Sequence, residues 1–372
     1  MTYKLQPYYT YSPTLSTWTP VHPTTPPNKN PTPTKTTNLT LTTWNIDFQA
    51  PCKQTRTKAA LTYLSTLSQP TTQDQTQTQN ANQDSSQNAE TEQSQEKGKI
   101  QIIFLQEMIA SDLHQIQQTP WIQANFHITD ITASNWTSSY GTVTLIDKRC
   151  DVHRVFRVPF PSRFGRDGLF VDISIPHSST SSSRDSTTGG STVLRLCNTH
   201  LESLTSNPPL RPVQLHLAAK YMHGTLPENN SLPTPTAAIL AGDLNAFAPE
   251  DRTAPGECGL SDAFLVLGGL EDTEESYTWG QQVSEYERER FGCSRMDKVL
   301  FCGGLSVRGF ERIGVGEKVW IEYPPPLSPV ASGESEESET GEELWVTDHL
   351  GLRVEFTLSF GSVLDTRLKT EH

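Results

Sequence analysis

Ala237-Ala238-Ile239-Leu240-Ala241-Gly242-Asp243-Leu244-Asn245 is the stretch on which the fold turns. Its apolar first half reads as a short buried strand. Gly242 lets the backbone turn sharply where that strand ends. Asp243 and Asn245, two positions apart, then point the same way on an extended backbone. An anionic acceptor beside a neutral amide can take a proton from water and hold that water, or a phosphate oxygen, in place. The same residues also make an ordinary turn. The stretch therefore acquires meaning from its counterparts elsewhere.

Each counterpart is a polar cluster at the end of an apolar run. Asn45 and Asp47 follow Thr40–Trp44, Glu107 follows Ile100–Leu105, and His200 with Ser203 follows Thr192–Cys197. Asp297 lies in the strand-like run Arg295–Phe301, and Asp348 with His349 precedes Leu352–Phe360. Packed sheets gather their strand ends on one rim, and function concentrates in the loops there. Glu107 reads either as a carboxylate emerging into solvent or, beside Asp47, as a ligand for a hard cation such as magnesium. Asn45 is a turn residue, or it orients Glu107 or binds phosphate. Asp348 and His349 are neighbours whose side chains diverge on a strand, so a distant carboxylate is the better partner for His349. Asp297 is the candidate, unless it forms a surface salt bridge with Arg295 or Lys298. His200 reads equally as a packed neutral histidine. Trp279 is a core aromatic or a platform for a base. Tyr140 is a hydroxyl that donates to phosphate or an ordinary strand-end tyrosine, and Arg56 pairs with a phosphate or a carboxylate or is merely solvated.

The 372 residues carry a net charge of −13 and are only 34% hydrophobic, with the shortfall concentrated in polar tracts. Residues 1–38, rich in Thr and Pro, read as a disordered tail. The remainder, 39–372, reads as one large domain with low-complexity inserts at about 69–98, 178–191 and 331–343. Glutamates at 334, 336, 337, 339, 342 and 343 account for part of the acidity. A bound divalent cation would reverse the field locally, so the balance does not exclude a polyanionic substrate. The six cysteines include no Cys-x-x-Cys pair, which argues against structural zinc. No signal-like or membrane-spanning run is visible, so an intracellular, nuclear or cytoplasmic protein is expected. Helical spacing is read from Arg56 through Leu67, from Ser111 as a cap through Ile116, over Arg211–His223 and over Asp262–Leu267. Strands outnumber helices, and the expected fold is an α/β sandwich of two sheets flanked by helices, four layers in all.

Taken in order, the clusters resemble the endonuclease/exonuclease/phosphatase superfamily, which has the deoxyribonuclease I-like fold. The matching stretches are Thr43-Trp44-Asn45-Ile46-Asp47, Leu105-Gln106-Glu107, Asn198-Thr199-His200-Leu201-Glu202-Ser203, Gly242-Asp243-Leu244-Asn245, Arg295-Met296-Asp297 and Thr347-Asp348-His349. Val158-Pro159-Phe160-Pro161-Ser162 and Tyr277-Thr278-Trp279 are similar to its tyrosyl-DNA phosphodiesterase 2 branch. The resemblance implies a magnesium-dependent phosphodiesterase, with manganese as a substitute, working by direct water attack on blocked 5′ DNA ends such as topoisomerase-derived tyrosyl adducts. Glu107 and Asp47, with Asn45 alongside, would hold the metal. Asp243 would activate water with Asn245 in support, and His349, oriented by Asp297, would stabilise charge. His200 and Ser203 would grip phosphate, while Tyr140 and Trp279 would line the trench for the DNA end; Arg56 is a further substrate-binding candidate from its charge alone. Phe247 departs from this branch, which carries an arginine there; Arg252 lies a little further on. A monomer is expected. Rival readings are an RNA deadenylase, an inositol-phosphate phosphatase, a sphingomyelinase-like enzyme, or an inactive module that binds nucleic-acid ends.

Overall fold

A computed structural model describes residues 3–22, 38–68, 99–174, 193–226, 231–322 and 341–358. One sheet runs in the order β1 (Lys4–Gln6), β8 (Asp151–Pro159), β9 (Asp167–Ser174), β10 (Val193–His200), β11 (Ala237–Asp243), β13 (Asp297–Gly303), β12 (Ser261–Asp262). The other runs β14 (Leu305–Ile313), β17 (Gly351–Leu358), β4 (Asn38–Asn45), β5 (Ile100–Met108), β7 (Gly141–Asp147), β6 (Phe126–Ile128), β2 (Tyr8–Ser12), β3 (Thr17–Val21). A separate hairpin pairs β15 (Lys318–Glu322) with β16 (Gly341–Trp345).

Strand periodicity sorts the apolar residues into layers. Ile102 and Phe104 of β5 meet Leu194 and Leu196 of β10 and Ile239 of β11 between the sheets. Their neighbours Ile103 and Leu105 face outwards, under α1 (Lys53–Leu67), α2 (Ala110–Gln118) and α3 (Pro120–Asn125). On the far side, Cys197 and Leu240 pack under α4 (Arg211–His223) and α5 (Glu250–Glu257). A strand buried on both faces reads as a continuous apolar run, as residues 102–105 of β5 and 237–241 of β11 do here. The result is the expected four-layer sandwich.

Both parallel pairs, β4 with β5 and β10 with β11, lie at the centre of their sheets. The C-terminal ends of these four strands therefore emerge on one rim. β13 opens there too, since Asp297 sits directly opposite Asp243. β17 begins beside the end of β4, pairing Leu352 with Thr43.

Several expectations need correcting. Residues 4–21 are not a tail: they supply β1 to one sheet and the β2–β3 hairpin to the other. Composition hid the signal. Trp18 is buried, lies edge-on to Tyr11, and donates its indole N–H to the Gln117 carbonyl, while Pro20 is tolerated because β3 is an edge strand. Residues 23–37 and the inserts at 69–98 and 178–191 lie outside the described residues, as does 331–340; residues 341–343 belong to β16. The cap expected at Ser111 lies two residues earlier, at Ile109, whose amide donates to Asp112 Oδ2. The one expected over Asp262–Leu267 is only the short α6 (Ala263–Val266), capped by Asp262. One further helix, α7 (Glu285–Phe291), carries a capping box between Ser284 and Glu287.

Candidate active site

Asp243 sits at the centre of the rim, 2% exposed. Its Oδ2 accepts from Asn45 Nδ2 at 3.0 Å and faces His200 Nε2 at 3.3 Å and His349 Nε2 at 3.7 Å. Its Oδ1 accepts from the Asn245 amide at 2.8 Å. Burial pushes its pKa upward, but His349, His200 and these hydrogen bonds prevail and hold the carboxylate below its ordinary range. Gly242 is required for a different reason than a turn. It has φ 142°, and a Cβ would lie 1.9 Å from the Thr199 carbonyl of the neighbouring strand. Nor do Asp243 and Asn245 project side by side. Asn245 is left-handed at φ 47° and turns its amide to the Leu201 carbonyl, 3.2 Å away.

The two histidines are held in opposite states. His349 Nδ1 lies 2.7 Å from Asp297 Oδ2, so the distant carboxylate is its partner. Arg295 and Lys298 are engaged by Glu271, and Arg295 also by Asp262, which leaves Asp297 to the histidine. Burial lowers the His349 pKa, yet Asp297, Asp348 and Asp243 outweigh it and raise it well above 6.5. Asp297 is pushed up to about 6 by burial, against the pull of His349. His200 is pushed down to about 3 by burial and by Arg166, against the attraction of Asp243. Arg166 Nη1 donates to His200 Nδ1 at 3.1 Å, so the single ring proton sits on Nε2, towards Asp243.

Glu107 lies in a bulge of β5 with φ 58°, and Asp47 beyond β4 has φ 49°. With Asn245, these are three left-handed non-glycine residues around one site, the kind of strain that surrounding structure must hold in place. Glu107 Oε2 accepts from the Phe48 amide at 2.8 Å, while Oε1 faces His200 at 3.8 Å. Burial, with Asp348 and Asp243 adding, raises Glu107 to about 7 despite the Phe48 bond and His349. Asp47 is raised as well, by burial first and Asp348 second. Ligand atoms of Glu107, His200 and Asp243 fall within 4.8 Å of one another, and so do those of Asp243, Asp297 and His349. Crowded carboxylates that resist ionisation fit a hard divalent cation, which oxygen donors suit and whose charge would relieve them. Asn45 is less free than expected: its amide serves Asp243, and its Oδ1 accepts from the Asp47 N–H at 2.9 Å.

Tyr140 stacks on Phe48 at 4.0 Å and stands 6.2 Å from the His200 ring. Trp279 is half-buried, bridges to His349, and donates its indole N–H to Asp348 Oδ2 at 2.8 Å. Ser203 Oγ accepts from Arg166 Nη2 at 2.7 Å. Arg56 is the exception among the expected residues. It is buried in α1 and donates to the Trp345 carbonyl, tying the helix to the β15–β16 hairpin. Arg211 lies over Phe247 at 4.1 Å but is locked to Asp251, and Arg252 pairs with Asp272 at the surface. Neither supplies the arginine expected at Phe247.

Sequence reasoning missed Arg166. It lies over the Tyr140 ring at 5.2 Å and joins His200 to Ser203. Its loop is the Pro-Phe-Pro-Ser stretch, held by Glu202, which accepts from Ser162 Oγ at 2.6 Å and the Arg163 amide at 2.9 Å. That pairing of two quoted motifs was the available signal. Gln106, quoted in its motif but given no partner there, braces the site from below. Its Nε2 reaches Thr43 Oγ1 at 3.0 Å and Asn198 Oδ1 at 2.8 Å, joining the two sheets beneath the site.

The profile of the Endonuclease/Exonuclease/phosphatase family matches residues 42–349. No curated protein sequence matches. Among solved structures, TDP2 from C. elegans superposes with a TM-score of 0.54 at 20% identity, covering 87% of this chain and 75% of that one. D. rerio TDP2 complexed with single strand DNA product gives 0.52 at 16%, covering 86% and 98%. A family protein from Bacteroides thetaiotaomicron gives 0.51 at 12%, covering 88% and 100%. At these identities the likeness concerns the fold.

Proposed function

The chain belongs to the endonuclease/exonuclease/phosphatase family, and from that premise we propose a divalent-metal-dependent phosphodiesterase that frees blocked 5′ DNA ends, above all those closed by an aryl group such as tyrosine. The observation that carries this reading is the convergence of His200, His349 and Asn45 on a single oxygen of buried Asp243. The D. rerio TDP2 complex with single strand DNA product supports a DNA end as substrate.

Asp243, kept ionised by its two histidines, receives a proton from the attacking water. The water oxygen forms a bond to phosphorus as the bond to the leaving oxygen breaks, and no covalent enzyme intermediate is needed. His349, protonated through its contact with Asp297, donates from Nε2 to the oxygen that gains charge. His200 offers its Nε2 proton to a second phosphoryl oxygen. Asn245 fixes Asp243, and Ser203 faces the phosphate beside Arg166. Glu107 and Asp47 are the residues that would hold magnesium or manganese, which when bound neutralises phosphate charge. Arg166 over Tyr140 offers a departing aryl oxide a cation and an aromatic face together. Trp279, on the opposite flank, offers a surface on which a base can stack.

A substrate panel with and without magnesium tests the reading: 5′-phosphotyrosyl DNA, abasic DNA, poly(A) RNA, inositol phosphates and sphingomyelin. Metal-dependent release of tyrosine that leaves a 5′-phosphate is expected. Preferential turnover of the RNA, inositol or lipid substrate would replace the DNA assignment. Binding of the DNA end without turnover would replace the enzyme by a recognition module.

A further inference from the structure

Residues 3–22 lie outside the stretch that the family profile matches, yet they are built into both sheets. At their centre is Gln6, 6% exposed, where β1 pairs with β8. Its Nε2 donates to the Thr129 carbonyl at 2.9 Å, and its Oε1 accepts from Arg157 Nε at 3.1 Å.

Arg157 is 3% exposed, and all three of its nitrogens have acceptors. Besides Gln6, Nη1 reaches Thr142 Oγ1 at 3.2 Å and both Asp167 oxygens at 3.1 Å. Nη2 reaches Asp130 Oδ2 and the Thr142 carbonyl, each at 2.9 Å. These anchors bear directly on the site. Thr142 is two residues from Tyr140, and Asp167 adjoins Arg166. The guanidinium therefore clamps both chain segments that bring Tyr140 and Arg166 together, and one cavity is lined by Arg157, Tyr140, Phe164, Arg166 and His200. A planar, buried guanidinium holds such a geometry only while every donor is satisfied.

We infer that the N-terminal arm, acting through Gln6 and Arg157, positions the Tyr140–Arg166 pair that receives the leaving group, and so sets the preference for aryl over alkyl esters; the preference rests on the phosphodiesterase reading above. Gln6 and Arg157 are positioning residues and touch no substrate. Removing the Gln6 amide leaves Arg157 Nε without its acceptor and loosens both segments. The Asp243 end of the site, held by Asn45 and Asn245, does not depend on Gln6.

The test compares the full chain with Gln6→Met and with Leu5→Ser, a control on the exposed face of the same strand. Two activated esters of thymidine 5′-phosphate are used, a p-nitrophenyl ester and a trifluoroethyl ester, which lacks a ring. Gln6→Met is expected to lower kcat/KM for the aryl ester by about 10-fold or more, and at least about 5-fold further than for the trifluoroethyl ester, which shares only the loss passed from Arg166 to His200 and Ser203; Leu5→Ser should change neither. Amide hydrogen exchange at Tyr140–Thr142 and Arg166–Gly168 is expected to accelerate in Gln6→Met alone. Equal loss on both esters, or unchanged exchange at those segments, overturns the inference. If the unmutated protein hydrolyses neither ester with magnesium, the phosphodiesterase reading fails, and the exchange measurement still decides whether the arm holds the pair. Gln6→Asn, which withdraws the amide by one methylene, takes the place of Gln6→Met if the latter does not fold.

Discussion

His200 and His349 aim the same ring nitrogen at the same oxygen of Asp243, yet the fold keeps one neutral and the other charged. On one flank Arg166 donates to His200, so that ring must stay neutral and point its proton inwards. On the other flank Asp297 accepts from His349, so that ring stays protonated. The lesson is that a neighbour's charge decides what a buried imidazole can do. Under the proposed mechanism, His200 would offer a neutral donor to one phosphoryl oxygen and His349 a positive charge to the oxygen that gains charge.

The heaviest blow to this arrangement is Asp243→Asn, which removes the negative charge the two histidines share. A fall in kcat of about 10³-fold or more is expected with the circular-dichroism spectrum retained; near-normal turnover would take the base away from Asp243. Next in size is Asp297→Asn. The raised pKa of His349 means its favourable charge is fully present below about 6.5 and is lost as pH rises through its folded value. Without the Asp297 charge that loss moves to lower pH. The alkaline limb of the kcat profile should shift down, with a loss of about 10- to 100-fold at pH 8, and an unmoved limb would break the contrast between the flanks.

Arg166→Met probes the other flank in the metal-free protein. His200, depressed to about 3, contributes stability that is present above its unfolded value near 6.5 and lost as pH falls towards about 3. Removing the guanidinium raises the His200 pKa, so the fall in unfolding free energy over that range should become shallower. An identical slope by urea denaturation would separate His200 from Arg166. Glu107→Gln follows: calorimetric titration with manganese should show affinity weakened by about 10-fold or more. Because Glu107 is raised to about 7, metal binding to the unmutated chain should itself weaken below neutral pH. The smallest catalytic effect is expected for Arg56→Met, which lies on neither flank. KM should stay within about 2-fold while Tm falls, since the lost contact braces α1 against β16.

Much of the site was legible because strand ends announce themselves. An apolar run that stops at Asn45, Glu107, His200 or Asp243 marks a place where chain leaves the core, and a two-sheet fold leaves few places for such ends to go. What could not be read was the partner of each residue. Asp297 had two cations nearby in sequence, and only the distant Glu271 and Asp262 take them away. Arg56 looked like an anion-binding residue because its neighbours in sequence do not include the Trp345 carbonyl. Arg166 gave no periodic signal at all, since it lies in a loop. The N-terminal arm was misjudged because Thr and Pro dominate its composition, whereas its pairing depends on Tyr9, Tyr11 and Trp18 finding a sheet edge.

By itself, the amino-acid order determined the layers, the rim on which the polar strand ends meet, and the acid, amide and histidine positions, because these follow from local periodicity. Only the tertiary structure decided protonation, the bond each group makes, and the place of Gln6 and Arg157 behind the site. Those depend on burial and on charges brought together from distant segments, and no local pattern carries them.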